Sequence, residues 1–200
     1  MTTEQIGVFV EDEWVSYSYF PILREIKNTG YKPVLITTNK EWDNGKRRSI
    51  PSGDEPIFRL DVDMSIHEVN IYDFAGFIFG GGYWADRLRW WFQKEKQPGV
   101  LELPEPRSLV EKILRSDRHL VGTICHSMWI LCSLKDAVKA KEVTCAYNII
   151  DDVKNAGFRY VDKDVHVDGN LISGRMSSHS VPFIKEFLRQ LQERDKKSRL

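Results

Sequence analysis

The chain has 200 residues, with 29 Lys+Arg against 29 Asp+Glu and 42% hydrophobic residues. That length suffices for one domain with a sizeable core, and a net charge of zero excludes a dedicated nucleic-acid binder, whose phosphate contacts need a basic excess. No apolar run reaches the roughly 18 residues of a membrane span, and the start, MTTEQIGVFVEDEW, sets acidic residues straight after a short apolar stretch, unlike a signal peptide. Three cysteines without regular spacing make no disulfide framework and point to a reducing compartment. The expectation is one cytoplasmic domain over residues 1–200.

Gln5 to Val10 is a continuous apolar run typical of a strand buried on both faces. Helical spacing over Ile22 to Thr29 closes on Gly30 as a C-cap, and Pro33 to Thr38 is a second β-branched strand. This βαβ order implies a parallel sheet. Asn39 to Pro56, with Lys46-Arg47-Arg48, reads as a solvated surface loop rather than a phosphate site. Gly76 to Phe79 is a third strand, Leu109 to Leu114 an amphipathic helix, and His119 to Ile124 a fourth strand. Ser127 to Leu134 continues as an apolar helix, Lys141 to Ala146 and Val165 to Ser173 read as short strands, and Pro182 to Arg194 is a closing helix. The predicted fold is α/β: an open, doubly wound, mainly parallel sheet with helices on both faces.

Cys125 falls where the fourth strand ends and a helix begins, the setting in which an α/β fold exposes a nucleophile at the carboxyl edge of its sheet. A thiol at a helix N-terminus can have a lowered pKa, and His126 beside it can accept a proton. The competing reading is a small core residue, as most free cysteines are. The third strand leaves through Gly80-Gly81-Gly82, where the backbone can approach a ligand and present N–H groups to developing negative charge. By itself such a turn needs no ligand, but two strand ends of this kind meet at one edge of a parallel sheet.

Four stretches carry a resemblance: GGYWADRLR, TICHSMW, VTCAYNIIDDVKNAGFRYVD and VDGNLISGR. Together they make the chain resemble the ThiJ/PfpI family, whose flavodoxin-like fold is similar to that of class I glutamine amidotransferases. The resemblance implies Cys125 as nucleophile, His126 as its neighbouring histidine, and oxyanion donors at the Gly82 and His126 amides. It implies that Asp86 reaches the histidine of an adjacent subunit, so that the protein is a homodimer or higher homo-oligomer. Asp86 also reads as a helix N-cap, and both roles are compatible. Relatives commonly place a glutamate, in Glu-x-x-x-Pro, against the cysteine. Here Pro21 is preceded at that spacing by Tyr17, or with a one-residue gap by Ser18. Neither can share a proton with sulfur as a carboxyl does; a hydroxyl only exchanges hydrogen bonds. Ser127 and Met128 likewise stand where relatives commonly have Gly-Pro.

The expected pocket comprises Tyr17, Ser18, Gly81, Tyr83, Trp84 and Ser127. Trp84, Trp90 and Trp91 are balanced between an aromatic pocket or subunit interface and the core, whereas Trp129 reads as core. Cys132 and Cys145 read as packing thiols, His179 as a loop histidine and Arg175 as an ion-pair anchor. Without Cys-x-x-Cys or His-x-x-x-His pairs, no metal is expected, nor any cofactor. Two functions remain. One is a cysteine-nucleophile enzyme acting on an acyl or carbonyl carbon of a small molecule or peptide, in peptidase, amidohydrolase, glyoxalase or deglycase fashion. The other is a non-catalytic redox sensor, chaperone-like protein or ligand-binding module using Cys125.

Overall fold

The computed structural model describes residues 4–38, 49–86 and 105–198. Its strands, in chain order, are β1 (Gln5–Phe9), β2 (Lys32–Thr37), β3 (Ser49–Pro51), β4 (Arg59–Asp61), β5 (Met64–Ser65), β6 (Phe74–Phe79), β7 (Leu120–Ile124), β8 (Glu142–Val143), β9 (Arg159–Tyr160), β10 (Val165–Asp168) and β11 (Leu171–Gly174). Seven of them form one sheet in the order β10-β11-β7-β6-β1-β2-β5. All pairings in it are parallel except that of β10 with β11. The central strands are buried along nearly their whole length, as the unbroken apolar runs require when helices cover both faces.

Helix α1 (Ser16–Asn28) and the C-terminal helix Ser180–Ser198 pack against each other and cover one face. The helices Glu105–Arg115, Met128–Cys132 and Ile150–Asn155 serve the other. The C-terminal helix comes close because β7 carries Gly122, where a Cβ would stand 2.8 Å from the Phe183 ring. This is the doubly wound, mainly parallel α/β architecture expected from the sequence.

Three elements depart from expectation. Helix α1 begins at Ser16, six residues before the apolar periodicity becomes visible, and carries Pro21 as its sixth residue, so the Tyr17 carbonyl has no N–H four residues on to bond. The segment read as surface loop contains β3, which pairs antiparallel with β4; its residues 39–48, the Lys-Arg-Arg cluster included, lie outside the described residues. Val165 to Ser173 is a hairpin of two strands rather than one, turned at Gly169 (φ 64°). Among the described residues, no helix is long and apolar enough to cross a membrane.

Candidate active site

Strand β7 delivers Cys125 to the carboxyl edge of the sheet, and the chain bends sharply there. Cys125 has φ 63° and is partly exposed. A non-glycine residue in this left-handed region costs on the order of 1–3 kcal/mol and persists only when its surroundings hold it. Ser127 supplies the hold. Fully buried, its hydroxyl accepts from Ile124 N–H at 2.8 Å and lies 2.8 Å from both the Phe79 and Ile124 carbonyl oxygens, one of which takes its proton. It therefore pins the end of β7 to the end of β6 and lies beneath the pocket rather than in it. The following helix is shorter than expected: a 3-10 turn over Cys125–Ser127, then five α-helical residues, so the dipole at the thiol is small.

The glycine turn leaves β6 beside this elbow, since Phe79 pairs with Thr123. A Cβ on Gly81 would collide with Ser177 Oγ, and one on Gly82 (φ 147°) would stand 2.6 Å from the Glu13 carbonyl oxygen. The turn is thus clasped by the segment after β1, through Val15 N–H to Gly81 O at 3.3 Å and a bridge between Trp14 and Gly82. Trp84, next in the chain, is 1% exposed and belongs to the core rather than to a pocket wall. Tyr83 is 63% exposed and faces the site.

His126 is held on four sides. Its Nδ1 lies 3.4 Å from Asp86 Oδ1 and its Nε2 3.2 Å from Asn148 Oδ1. The Tyr83 ring meets it edge-on with centroids 5.6 Å apart, and the Trp129 ring lies at 5.2 Å. Trp129 is itself anchored, its Nε1–H donating to Asp152 at 2.8 Å. Asp86 sits inside a helical first turn, its N–H donating to Tyr83 O at 3.1 Å, and is therefore not the N-cap. Asp86 thus faces the histidine of its own chain.

The two candidates for the place of the expected glutamate, Tyr17 and Ser18, differ sharply in burial. Ser18 is fully buried, its oxygen accepting from Gly81 N–H at 3.2 Å and from the Ser180 hydroxyl at 3.1 Å. Tyr17, one helical step away and 57% exposed, hydrogen-bonds Ser177 and feels the charge of Cys125. Desolvation first, then the neighbouring charge of Cys125 and of Asp54, raises its pKa above that of an ordinary phenol. Tyr17 therefore stays protonated at neutral pH and is a hydrogen-bond donor, not a base. Glu11 is committed elsewhere, accepting from the Thr37 hydroxyl at 2.9 Å, the Thr38 hydroxyl at 2.6 Å and the Thr38 N–H. Glu13 lines, with Gly53, Tyr83 and Asp86, a depression of about 340 Å³ beside the histidine.

Other candidates settle into structural roles. Burial, outweighing the help of Arg175, pushes the Cys145 thiol up to about 12, which keeps it inert. Arg175 is 5% exposed, ion-paired to Asp162 at 2.6 Å and stacked over Tyr147 at 4.8 Å, an anchor as expected. His179 faces Asp164 at 3.5 Å. Trp90 and Trp91 lie outside the described residues. Among the described residues, no group of three or more His, Cys, Asp or Glu could hold a metal ion. Asn148 and Ser177 are the site neighbours that sequence reasoning missed; Trp129, read as core, packs partly buried against the core and also meets the His126 ring.

A strained cysteine elbow beside a glycine turn, on a flavodoxin-like sheet, defines a class of α/β proteins with an exposed thiol. A profile of the DJ-1/PfpI family matches residues 4–190. A deglycase of Thermococcus kodakarensis is 30% identical over 170 residues, 85% of this chain and 89% of that one. The YraA protein of Bacillus subtilis, described as a candidate cysteine protease, is 26% identical over 190 residues, 95% of this chain and 99% of that one. In structure, a ThiJ/PfpI domain protein of Brachyspira murdochii superposes with a TM-score of 0.77 at 17% identity, covering 95% of this chain and 96% of the other. The chain belongs to the DJ-1/PfpI family.

Proposed function

We propose that this protein is a cysteine-dependent hydrolase acting on an acyl carbon or a carbonyl adduct of a small molecule or peptide. The observation that carries the reading is the left-handed Cys125 elbow (φ 63°) standing beside a histidine that faces a carboxylate at 3.4 Å. Strain is retained where geometry over-determines it, and here it lifts a partly exposed thiol out of the core. Relatives described as a deglycase and as a candidate cysteine protease support the same chemistry.

In the hydrolytic cycle, the Cys125 thiolate adds to the carbonyl carbon and the π electron pair moves to oxygen. The N–H groups of Gly82 and His126 stabilise that oxyanion. The C–O or C–N bond then breaks, and the leaving group takes a proton by way of His126. Water adds to the thioester, gives its proton back to His126, and the carbon–sulfur bond breaks to restore the thiolate. Tyr17 donates a hydrogen bond toward the reacting centre. Because it holds its proton, the site favours addition followed by water attack over carrying a proton between two carbons, for which a carboxylate suits better.

The test is turnover of wild type and Cys125→Ala on a panel of peptide amides and an α-oxoaldehyde adduct of N-acetylarginine. The expected result is a wild-type substrate whose turnover falls by at least about 100-fold in the variant. Full turnover by Cys125→Ala on every substrate found would remove the basis of the proposal.

A further inference from the structure

We infer that Ser18 is a positioning residue of the oxyanion hole: together with Val15 it grips Gly81 from both ends and so aims the Gly82 N–H toward the thiol. The inference rests on the hydrolase reading above. It names a group that this chemistry needs and that does not itself touch the substrate.

The grip comes from Val15, the N-cap of α1, and from Ser18 in the first turn of that helix. Ser18 Oγ accepts the Gly81 N–H at 3.2 Å, and Val15 N–H donates to the Gly81 carbonyl oxygen at 3.3 Å. The two holders are tied to each other, since Ser18 N–H donates to Val15 O at 3.0 Å. Both peptide planes that meet at Gly81 are therefore fixed by one helical turn. Ser18 and Gly81 are buried, so water cannot take the place of the hydroxyl. Ser177 Oγ fills the place a Gly81 Cβ would occupy, closing the space into which the turn could shift.

This grip sets the direction of the next amide. No peptide bond among the described residues is cis, so the Gly82 N–H points opposite to the Gly81 C=O. The antiparallel bridge between Trp14 and Gly82 agrees. Its hydrogen bond runs between their neighbours Val15 and Gly81, which makes Trp14 and Gly82 a pair whose own N–H groups point away from each other. Sheet order supplies the destination. Strand β6 lies between β1 and β7, so an amide after β6 that turns away from the segment after β1 turns toward the elbow after β7, where Cys125 stands. Consecutive glycines would otherwise leave this peptide free to flip. A flipped peptide would present its carbonyl oxygen to the developing negative charge instead of its N–H.

Ser18→Ala tests this against Ser180→Ala. The Ser180 hydroxyl belongs to the same buried cluster, 3.1 Å from Ser18 Oγ and 2.6 Å from the Ser177 carbonyl oxygen, but the Gly81 amide bonds Ser18 and not Ser180. Both variants lose a buried hydroxyl and are expected to lower Tm; Ser18→Ala alone leaves the Gly81 N–H without its acceptor. On a substrate whose turnover needs Cys125, Ser18→Ala is expected to lower kcat about 10- to 100-fold with KM little changed, and Ser180→Ala by no more than about twofold. A second readout needs no turnover. Acetaldehyde in excess adds to Cys125, its carbon bonding to sulfur and its oxygen taking the thiol proton, while the 15N-labelled Gly82 amide is followed. The Gly82 resonance is expected to move on addition in wild type and Ser180→Ala, by less than about half as much in Ser18→Ala, and not at all in Cys125→Ala. An equal loss of kcat in the two serine variants, or the full Gly82 shift in Ser18→Ala, would overturn the positioning role. Should the hydrolase reading fail for want of a substrate, the Gly82 shift decides the question alone.

Discussion

Gly82 joins two demands that no side chain meets: φ of 147°, and a Glu13 carbonyl oxygen 2.6 Å from where a Cβ would stand. Gly82→Ala is therefore expected to cost about 1–3 kcal/mol, seen as a Tm lower by several degrees, and to disturb the turn beside the thiol. At Tyr17 the opposite holds. Tyr17→Phe removes one exposed hydroxyl and should leave Tm near wild type while lowering Cys125-dependent turnover about tenfold, as loss of a directed hydrogen bond does; unchanged turnover would mean that the phenol takes no part. Cys125, His126 and Gly82 could be singled out in the sequence because each sits just past the end of an apolar run, whereas Asp86 was singled out only by the family resemblance. Ser177 and Asn148 were not. They arrive from distant segments with no motif of their own, and only tertiary packing brings Ser177 to Gly81 and Asn148 to His126. The choice between Tyr17 and Ser18 was equally hidden, since consecutive residues of a helix point about 100° apart and the visible periodicity began only at Ile22.

The β3–β4 hairpin was invisible as an element because three-residue strands beside Pro and Gly carry too little pattern. It is fastened at two points. Trp14 Nε1–H donates to Ile50 O at 3.0 Å, and Asp54 accepts from the Ser16 N–H at 2.8 Å and the Ser16 hydroxyl at 2.7 Å, capping α1 from outside the helix. Burial works to raise the Asp54 pKa, but the bonds from Ser52 and Ser16 outweigh it and hold the carboxyl below its ordinary value. A folded-state pKa below the unfolded one contributes stability that is present above about pH 4 and lost as pH falls through the folded value. The protection of the Ser16 amide, its exchange normalised to the intrinsic rate at each pH, is thus expected to fall on acidification below about pH 4 in wild type, and to be lower and flat across that range in Asp54→Asn. An acid step persisting in the variant would assign it to another group. Between β6 and β7, Ser127→Ala leaves the Ile124 N–H buried without its partner. The expected cost is about 1–3 kcal/mol in urea unfolding, together with slower labelling of Cys125.

At the scale of the whole molecule, the mainly parallel sheet was readable because buried parallel strands announce themselves as unbroken apolar runs; the strand order came only with the structure. The edge was harder: β8 and β9 are two residues each and form a separate parallel pair. What the order accomplishes is to bring β1, β6, β7 and β11 side by side, so that the segments leading from them to Tyr17 at the start of α1, Gly82, Cys125 and Ser177 all leave the same edge. The balanced charge fits a site built on one thiol, phenols and an aimed histidine. In this account Cys125 is the single reactive thiol among three that are otherwise packing. Burial pushes the Cys145 thiol up to about 12, so it stays protonated at neutral pH. The most direct test is peptide mapping after brief treatment with substoichiometric iodoacetamide at neutral pH. The account predicts modification of Cys125 at least about tenfold faster than of Cys132, with Cys145 unmodified until the fold is lost. Equal labelling of the three cysteines in the folded protein would contradict it.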